Sequence, residues 1–194
     1  MAKSLKVPFK TPIGELRWVN ISAQGADQSM AKDGSKMQKV ATIYLSGDQK
    51  EAVVTELQRI WDAFKTEMGL KKGVLPKSTG YRFVTDEDGN ETGEISLQFK
   101  TNVKFPDGTE NVVKVLNPKG AEINIGDRKI GNGSRGVIHG EAAYYDAQGT
   151  KGITLYLKAI QLTKFVEYQQ NVDAEDLSAE GEGDFEGFAD VIPF

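Results

Sequence analysis

A mainly β domain carrying one amphipathic helix is the fold class this sequence predicts. Three observations point to it: recurrent apolar–polar alternation, turn-forming clusters between the alternating stretches, and one interval with helical spacing. The alternating stretches are residues 15–22, 39–45, 80–84, 95–105, 111–116, 134–145 and 153–165. In 95–105, Ile95, Leu97, Phe99, Val103 and Phe105 share one face, and Gln98, Lys100, Asn102 and Lys104 share the other. The same logic turns Ile153, Leu155 and Leu157 inward and Tyr156 and Lys158 outward. The breaks at residues 86–90 (Asp-Glu-Asp-Gly-Asn), 106–109 (Pro-Asp-Gly-Thr), 117–120 (Asn-Pro-Lys-Gly) and 146–149 (Asp-Ala-Gln-Gly) are turn chemistry suited to antiparallel hairpins. Over residues 48–68, Val53, Leu57, Ile60, Trp61, Phe64 and Met68 instead recur at helical spacing, with Gly47-Asp48 as a start and Gly69 as a stop. Six or seven strands with one helix fit a small closed or partly open barrel with additions, or a sandwich, better than a parallel α/β fold. No internal repeat of fixed period is present.

A chain of 194 residues with 39% hydrophobic and 27% charged residues is long enough for one sizeable core. Cysteine is absent, which removes disulfides, thiolate nucleophiles and the usual zinc knuckles. No apolar run reaches the roughly 18 residues that would span a bilayer, and Met1 to Lys6 lacks a signal-peptide core, so a cytoplasmic location is expected. The glycosylation sequons at Asn20, Asn90 and Asn132 are accordingly read as chance.

The formal charge of −4 is unevenly distributed. Asp173, Glu175, Asp176, Glu180, Glu182, Asp184, Glu186 and Asp190 fall in the last 24 residues, which hold no Lys or Arg. Removing those eight from the 28 acids leaves 20 against 24 basic residues, a body of +4. The chain therefore divides into a mildly basic domain, residues 1–170, and an acidic tail, 171–194. Such a split suits a nucleic-acid surface with an interaction tail, or a merely solubilising end.

Chemical motifs are few. Gly131-Asn-Gly133-Ser-Arg-Gly136 has the letters of a dinucleotide fingerprint, but the residues after it alternate as a strand instead of opening a helix. It reads as a Gly loop whose amides, with Lys129 and Arg135, can approach phosphates, or as a plain bulged strand entry. Asp86, Asp88 and Asn90 resemble the start of a calcium loop, yet Glu91 and Leu97 stand where Gly and Glu are needed. His139, the single histidine, sits in an alternating strand with no triad arrangement and is read as structural. No enzyme activity, cofactor or metal is expected.

Aromatic and cationic residues are interleaved on the strands, as in Tyr81-Arg82-Phe83 and Tyr156-Leu-Lys158. Single-strand binders use such mixtures, stacking bases on aromatic rings and neutralising phosphates with Lys or Arg; an ordinary solvated sheet face is the plainer reading. The tail adds Leu177, Phe185 and Phe188 and ends Asp190-Val-Ile-Pro-Phe194. A solubilising end has no use for a terminal apolar cluster. An aromatic anchor, a Pro that limits unbound conformations and the terminal carboxylate suit an apolar pocket rimmed by Arg or Lys.

These residues carry a resemblance. Residues 184–194 resemble the acidic tip of bacterial single-stranded-DNA-binding replication proteins, which closes with Asp-Ile-Pro-Phe; here Val191 stands between Asp190 and Ile192. The body is similar to the phage members of that class in two places. One is the turn Ile130-Gly-Asn-Gly-Ser134-Arg135 leading into a strand, the other the final strand Leu155-Tyr-Leu-Lys-Ala-Ile-Gln-Leu162 before the tail. The resemblance implies an OB-fold-like barrel, five-stranded or extended and antiparallel, with one added amphipathic helix and a disordered acidic C-terminal tail. It also implies a protein that coats single-stranded DNA without sequence preference in phage replication, recombination and repair, and recruits replication or recombination proteins through its tip. The predicted helix follows the second strand, whereas the common barrel places its helix later.

Candidate DNA-binding residues are Trp18, Tyr81, Phe83, Lys100, Lys104, Lys129, Arg135, Tyr156 and Lys158. Candidate partner-binding residues are Asp184, Phe185, Phe188, Asp190, Ile192, Pro193 and Phe194. Expected partners are single-stranded DNA, proteins bound at the tip and, weakly, a second copy, with no membrane. A strand-annealing recombination protein and a virion or structural β protein without DNA affinity are the alternatives.

Overall fold

Alternation along the chain becomes the inside and the outside of a closed barrel. The computed structural model describes residues 5–29, 34, 36–147 and 149–168. Its elements are β1 (Lys6–Lys10), β2 (Gly14–Asn20), β3 (Ala26–Asp27), β4 (Met37–Leu45), α1 (Gly47–Glu67), β5 (Arg82–Thr85), β6 (Glu91–Asn102), β7 (Lys114–Leu116), β8 (Ser134–Ala147) and β9 (Thr150–Lys164). Hydrogen bonding runs β8-β2-β4-β6-β9, and the β8–β9 hairpin closes the ring. Neighbours pair antiparallel, apart from the parallel contacts of β9 with β6 and with β7. This is the five-stranded barrel of the OB type. β1 extends β8, β3 pairs with β4, β5 with β6, and β7 lies beside β9.

The core follows from the faces. Leu16, Ala41, Ile43, Ile95, Leu97, Phe99, Ile138 and Ile160 are fully buried, and cross-strand pairs such as Ile43 with Leu97 and Ala41 with Phe99 face each other inside. Ile153, Leu155 and Leu157 are buried and Tyr156 and Lys158 exposed, as the alternation predicts. Phe105 departs from it. β6 ends at Asn102, the chain turns through the Phe105–Thr109 hairpin, and Phe105 faces solvent. β1 has no counterpart among the predicted strands; Pro8 interrupts its short run, and Phe9 beneath it stacks on Phe99 at 6.1 Å.

The helix matches its stripe. Val53, Leu57, Ile60, Trp61 and Phe64 are its buried residues, and it packs against β6 and β8, with the Trp61 ring stacked on Tyr144 at 6.2 Å. It ends in a Schellman arrangement: the Leu70 N–H donates to Lys65 O, the Gly69 N–H to Thr66 O, and Gly69 takes φ +63°. Gly69 is therefore the stop that its position suggests. The helix lies between the second and third barrel strands. No helix among the described residues is long and apolar enough to cross a membrane.

Among the described residues, one charge is inside. Lys39 is 1% exposed, beside Thr101 in the ladder, and its ammonium is 2.8 Å from the Glu110 carboxylate. Removing one partner of such a pair leaves the other desolvated and uncompensated. Glu110→Ala is thus expected to lower stability by about 1–3 kcal/mol, discounted because Glu110 keeps access to water. Lys39→Met, which fills the same space without charge, is expected to cost less; urea denaturation of both variants checks the order.

Residues 169–194 lie outside the described residues, and with them the expected tail and the candidate partner residues Asp184, Phe185, Phe188, Asp190, Ile192, Pro193 and Phe194.

Candidate nucleic-acid interface

The outward side chains of β4 and β6 form the floor of a groove. Thr42 stands opposite Gln98 and Tyr44 opposite Ser96, and these four side chains line the groove together with Lys100, whose partner in the ladder is the buried Val40. Trp18 borders this floor, and the segment 78–82 and residues 153–155 of β9 contribute to its walls, enclosing about 300 Å³. In OB barrels, the face of the second and third strands is the one that takes oligonucleotides.

Its electrostatics are one-sided at Lys100. This side chain is half-buried, and no carboxylate among the described residues forms an ion pair with it. Desolvation first, then the nearby charges of Lys36 and Arg82, hold its pKa below the ordinary lysine value. Arg82 reaches this place because β5 pairs with β6 and sets it opposite Ser96. Arg17 lies over the Tyr44 ring at 4.2 Å and bonds Glu15 through two nitrogens, at 2.6 and 3.1 Å, so much of its charge is already matched. Two cations, Arg82 and Lys100, in one concave site with no ion-paired carboxylate among the described residues are an arrangement that accepts anions.

The sequence-predicted residues are only partly brought together. Trp18, Tyr81 and Lys100 line the groove, and Tyr156 adjoins it, opposite Lys100 in the parallel ladder and under the Lys6 ammonium at 4.8 Å. Trp18 is the most open of them, 67% exposed, on a bulge where three steps of β2 oppose two of β4. Tyr81 is half-buried with its ring edge-on to Phe83 at 5.6 Å. Phe83 pairs with Ile95, away from the groove, beneath Lys50 of the helix at 5.7 Å. Arg135 stands on β8 opposite Glu15. Lys158 is 3.5 Å from Glu141, and Lys104 sits on the hairpin opposite Glu110. Lys129 borders a second cavity, between residues 19–24 and 112–130.

Sequence reasoning missed Tyr44 and Arg82 as groove residues, and with them Arg17 over the Tyr44 ring and the charge of Lys36 near Lys100. Tyr44 was within reach, because the alternation that buries Ile43 and Leu45 turns it outward. The cations come from separate elements and meet only through strand register.

No family model matches the chain, and no curated protein does. Solved structures do. The chain is similar to gp2.5, a single-stranded DNA binding protein encoded by bacteriophage T7, with TM-score 0.58 and 15% identity over 93% of this chain and 97% of that one. It is also similar to the single-stranded DNA-binding protein from bacteriophage Enc34 in complex with ssDNA, with TM-score 0.60 and 16% identity over 82% and 88% of the two chains. A C-terminal truncation of the Enc34 protein matches with TM-score 0.60 and 15% identity over 84% and 88%. At these identities the likeness establishes a shared fold.

Proposed function

We propose that this chain binds single-stranded DNA without sequence preference through the outer face of β4 and β6. The observation that carries this reading is the placing of Arg82 and Lys100 in one groove, with no ion-paired carboxylate among the described residues, beside the exposed ring of Trp18. The cations hold phosphates, while Trp18 offers an open face on which any base can stack; Tyr44 and Tyr156, each with a cation over one face of its ring, lie beside it. A polar groove floor of Thr42, Ser96 and Gln98 supplies adaptable hydrogen bonds. Two supporting facts come from outside the chain: the T7 and Enc34 proteins that share its fold are single-stranded DNA binders, and one was solved with ssDNA. Coating of single strands during phage replication, recombination and repair follows from that reading, in the host cytoplasm.

The eight acids of residues 173–190 give the tail a second part in it. Tethered at millimolar effective concentration, they compete with phosphates for the cationic face, while Phe185, Phe188 and Ile192-Pro193-Phe194 dock on a replication or recombination protein.

The test is fluorescence anisotropy of a labelled ~30-nucleotide single strand across salt, against duplex of equal length. Salt-dependent, sequence-tolerant binding with clear preference for the single strand is expected. Removing residues 173–194, and with them all eight acids, is expected to tighten binding at low salt and to leave it unchanged at high salt, where screening has already silenced the tail. Failure of both strand forms to bind at low salt would leave the structural-protein reading in its place.

A further inference from the structure

Trp18 is where the backbone departs furthest from what a bulky side chain tolerates. It has φ +55°, the one positive value outside glycine among the described residues. For a bulky L-residue this is a costly conformation that persists only where the surroundings impose it. The bulge between Arg17 and Asn20 leaves Trp18 outside the regular ladder with β4, and its N–H donates instead to the Asn132 side-chain oxygen at 3.0 Å, across 114 residues of chain.

Resting on the single-strand reading above, we infer that Asn132 is a positioning residue that clamps the Trp18 backbone and so presents its indole to the groove. The clamp is itself anchored. The Gly131 N–H donates to Val166 O at 2.8 Å, the Ser134 hydroxyl donates to Val166 O at 3.1 Å, and the Val166 N–H donates to the Ser134 hydroxyl at 3.0 Å. A Cβ on Gly131 would stand 2.9 Å from the Tyr168 backbone, so the loop lies flat against the chain leaving β9. The Gly-rich turn, read in the sequence as a phosphate approach or a bulged strand entry, thereby acquires a third role: it holds an acceptor at a fixed place. A ring fixed before the ligand arrives loses less freedom on stacking, which is how a group that never touches DNA can raise affinity.

The experiment uses the full chain and the variants Asn132→Ala, Asn132→Asp, Trp18→Gly and the Asn132→Ala/Trp18→Gly double, Gly being the residue that adopts φ +55° without strain. The probes are acrylamide quenching of the free protein and anisotropy of labelled oligothymidylate. Of the two tryptophans, Trp61 is 1% exposed, so quenching reports Trp18. Asn132→Ala is expected to alter Trp18 quenching and to weaken oligothymidylate binding roughly three- to tenfold; Trp18→Gly is expected to cost about tenfold or more. Asn132→Asp keeps the acceptor and is expected to keep wild-type quenching. The double variant is expected to bind no more weakly than Trp18→Gly alone. An equal Asn132→Ala penalty in both backgrounds, or unaltered Trp18 quenching in Asn132→Ala, overturns the clamp. If the wild type binds no oligothymidylate, the single-strand reading falls and the quenching in free protein still decides whether Asn132 holds Trp18.

Discussion

Reversing Lys100 and Arg82 together to glutamate is expected to lower single-strand affinity on the order of a hundredfold or more at low salt and to flatten its salt dependence. Each phosphate contact on a single strand contributes a slope of about 0.7 in log affinity against log salt, so losing two contacts removes about 1.4. The same pair replaced by methionine and alanine is expected to give the slope change with a smaller loss, since it removes attraction without adding repulsion. Both side chains lie outside the barrel core, Arg82 being exposed and Lys100 half-buried, so the reversed protein is expected to fold. Full retention of affinity and slope in the folded double variant would falsify placement of the phosphates on the β4–β6 face.

Lys100 also gives the binding a pH signature. Its pKa in the free protein is held down by desolvation and by Lys36 and Arg82, and a bound phosphate beside it would push the pKa back up. Binding therefore takes up protons above the depressed value, and affinity is expected to fall as pH rises through it. Stability moves the other way. Between the depressed folded pKa and the unfolded value of about 10.4, the unfolded chain holds the proton that the folded chain has released, so unfolding free energy rises with pH across that window. Lys100→Met should erase both trends, which calorimetric proton uptake and thermal unfolding measure separately.

The sequence discloses this face unevenly, for reasons that lie in its parts. Period-2 alternation is a local signal, and it suffices to turn Lys100, Gln98, Tyr156 and Lys158 away from the core. The helix is equally local, since its stripe and its terminal Gly69 both lie within one segment. What alternation cannot carry is register. Arg82 stands near Lys100 only because β5 pairs with β6 at Ser96, and Phe83, one residue on, is thereby turned toward Lys50 of the helix. A bulge is less visible still. The extra residue in β2 shifts Trp18 out of phase, and the Asn132 that holds it comes from 114 residues further along the chain.

Gly140→Ala is expected to have the largest effect on stability, because the methyl group has nowhere to go. Gly140 sits at a bulge of β8 where three strands meet: it faces Leu157 of β9 and Phe9 of β1. A Cβ there would collide with the Tyr156 carbonyl oxygen and lie 3.0 Å from two ring carbons of Phe99. Neither neighbour can yield cheaply. Phe99 is fully buried and stacked on Phe9, so moving it disturbs the barrel centre. Moving the Tyr156 carbonyl shifts the backbone that pairs with Lys100 in the single parallel contact between β6 and β9, and with it part of the proposed DNA face. Overpacking of this kind costs about 1–3 kcal/mol where side chains can adjust, and the upper end is expected here because backbone blocks one direction. At roughly 2–4 °C per kcal/mol for a domain of this size, the melting temperature is expected to drop by about 6–12 °C. Gly73→Ala is the matched control, with open space around its Cβ and no positive φ, and is expected to stay within about 0.5 kcal/mol of wild type. Since the collision couples core to interface, residual folded Gly140→Ala protein is also expected to bind single strands more weakly than Gly73→Ala. Equal melting temperatures for the two would show that β8 and β9 can part at this bulge without cost.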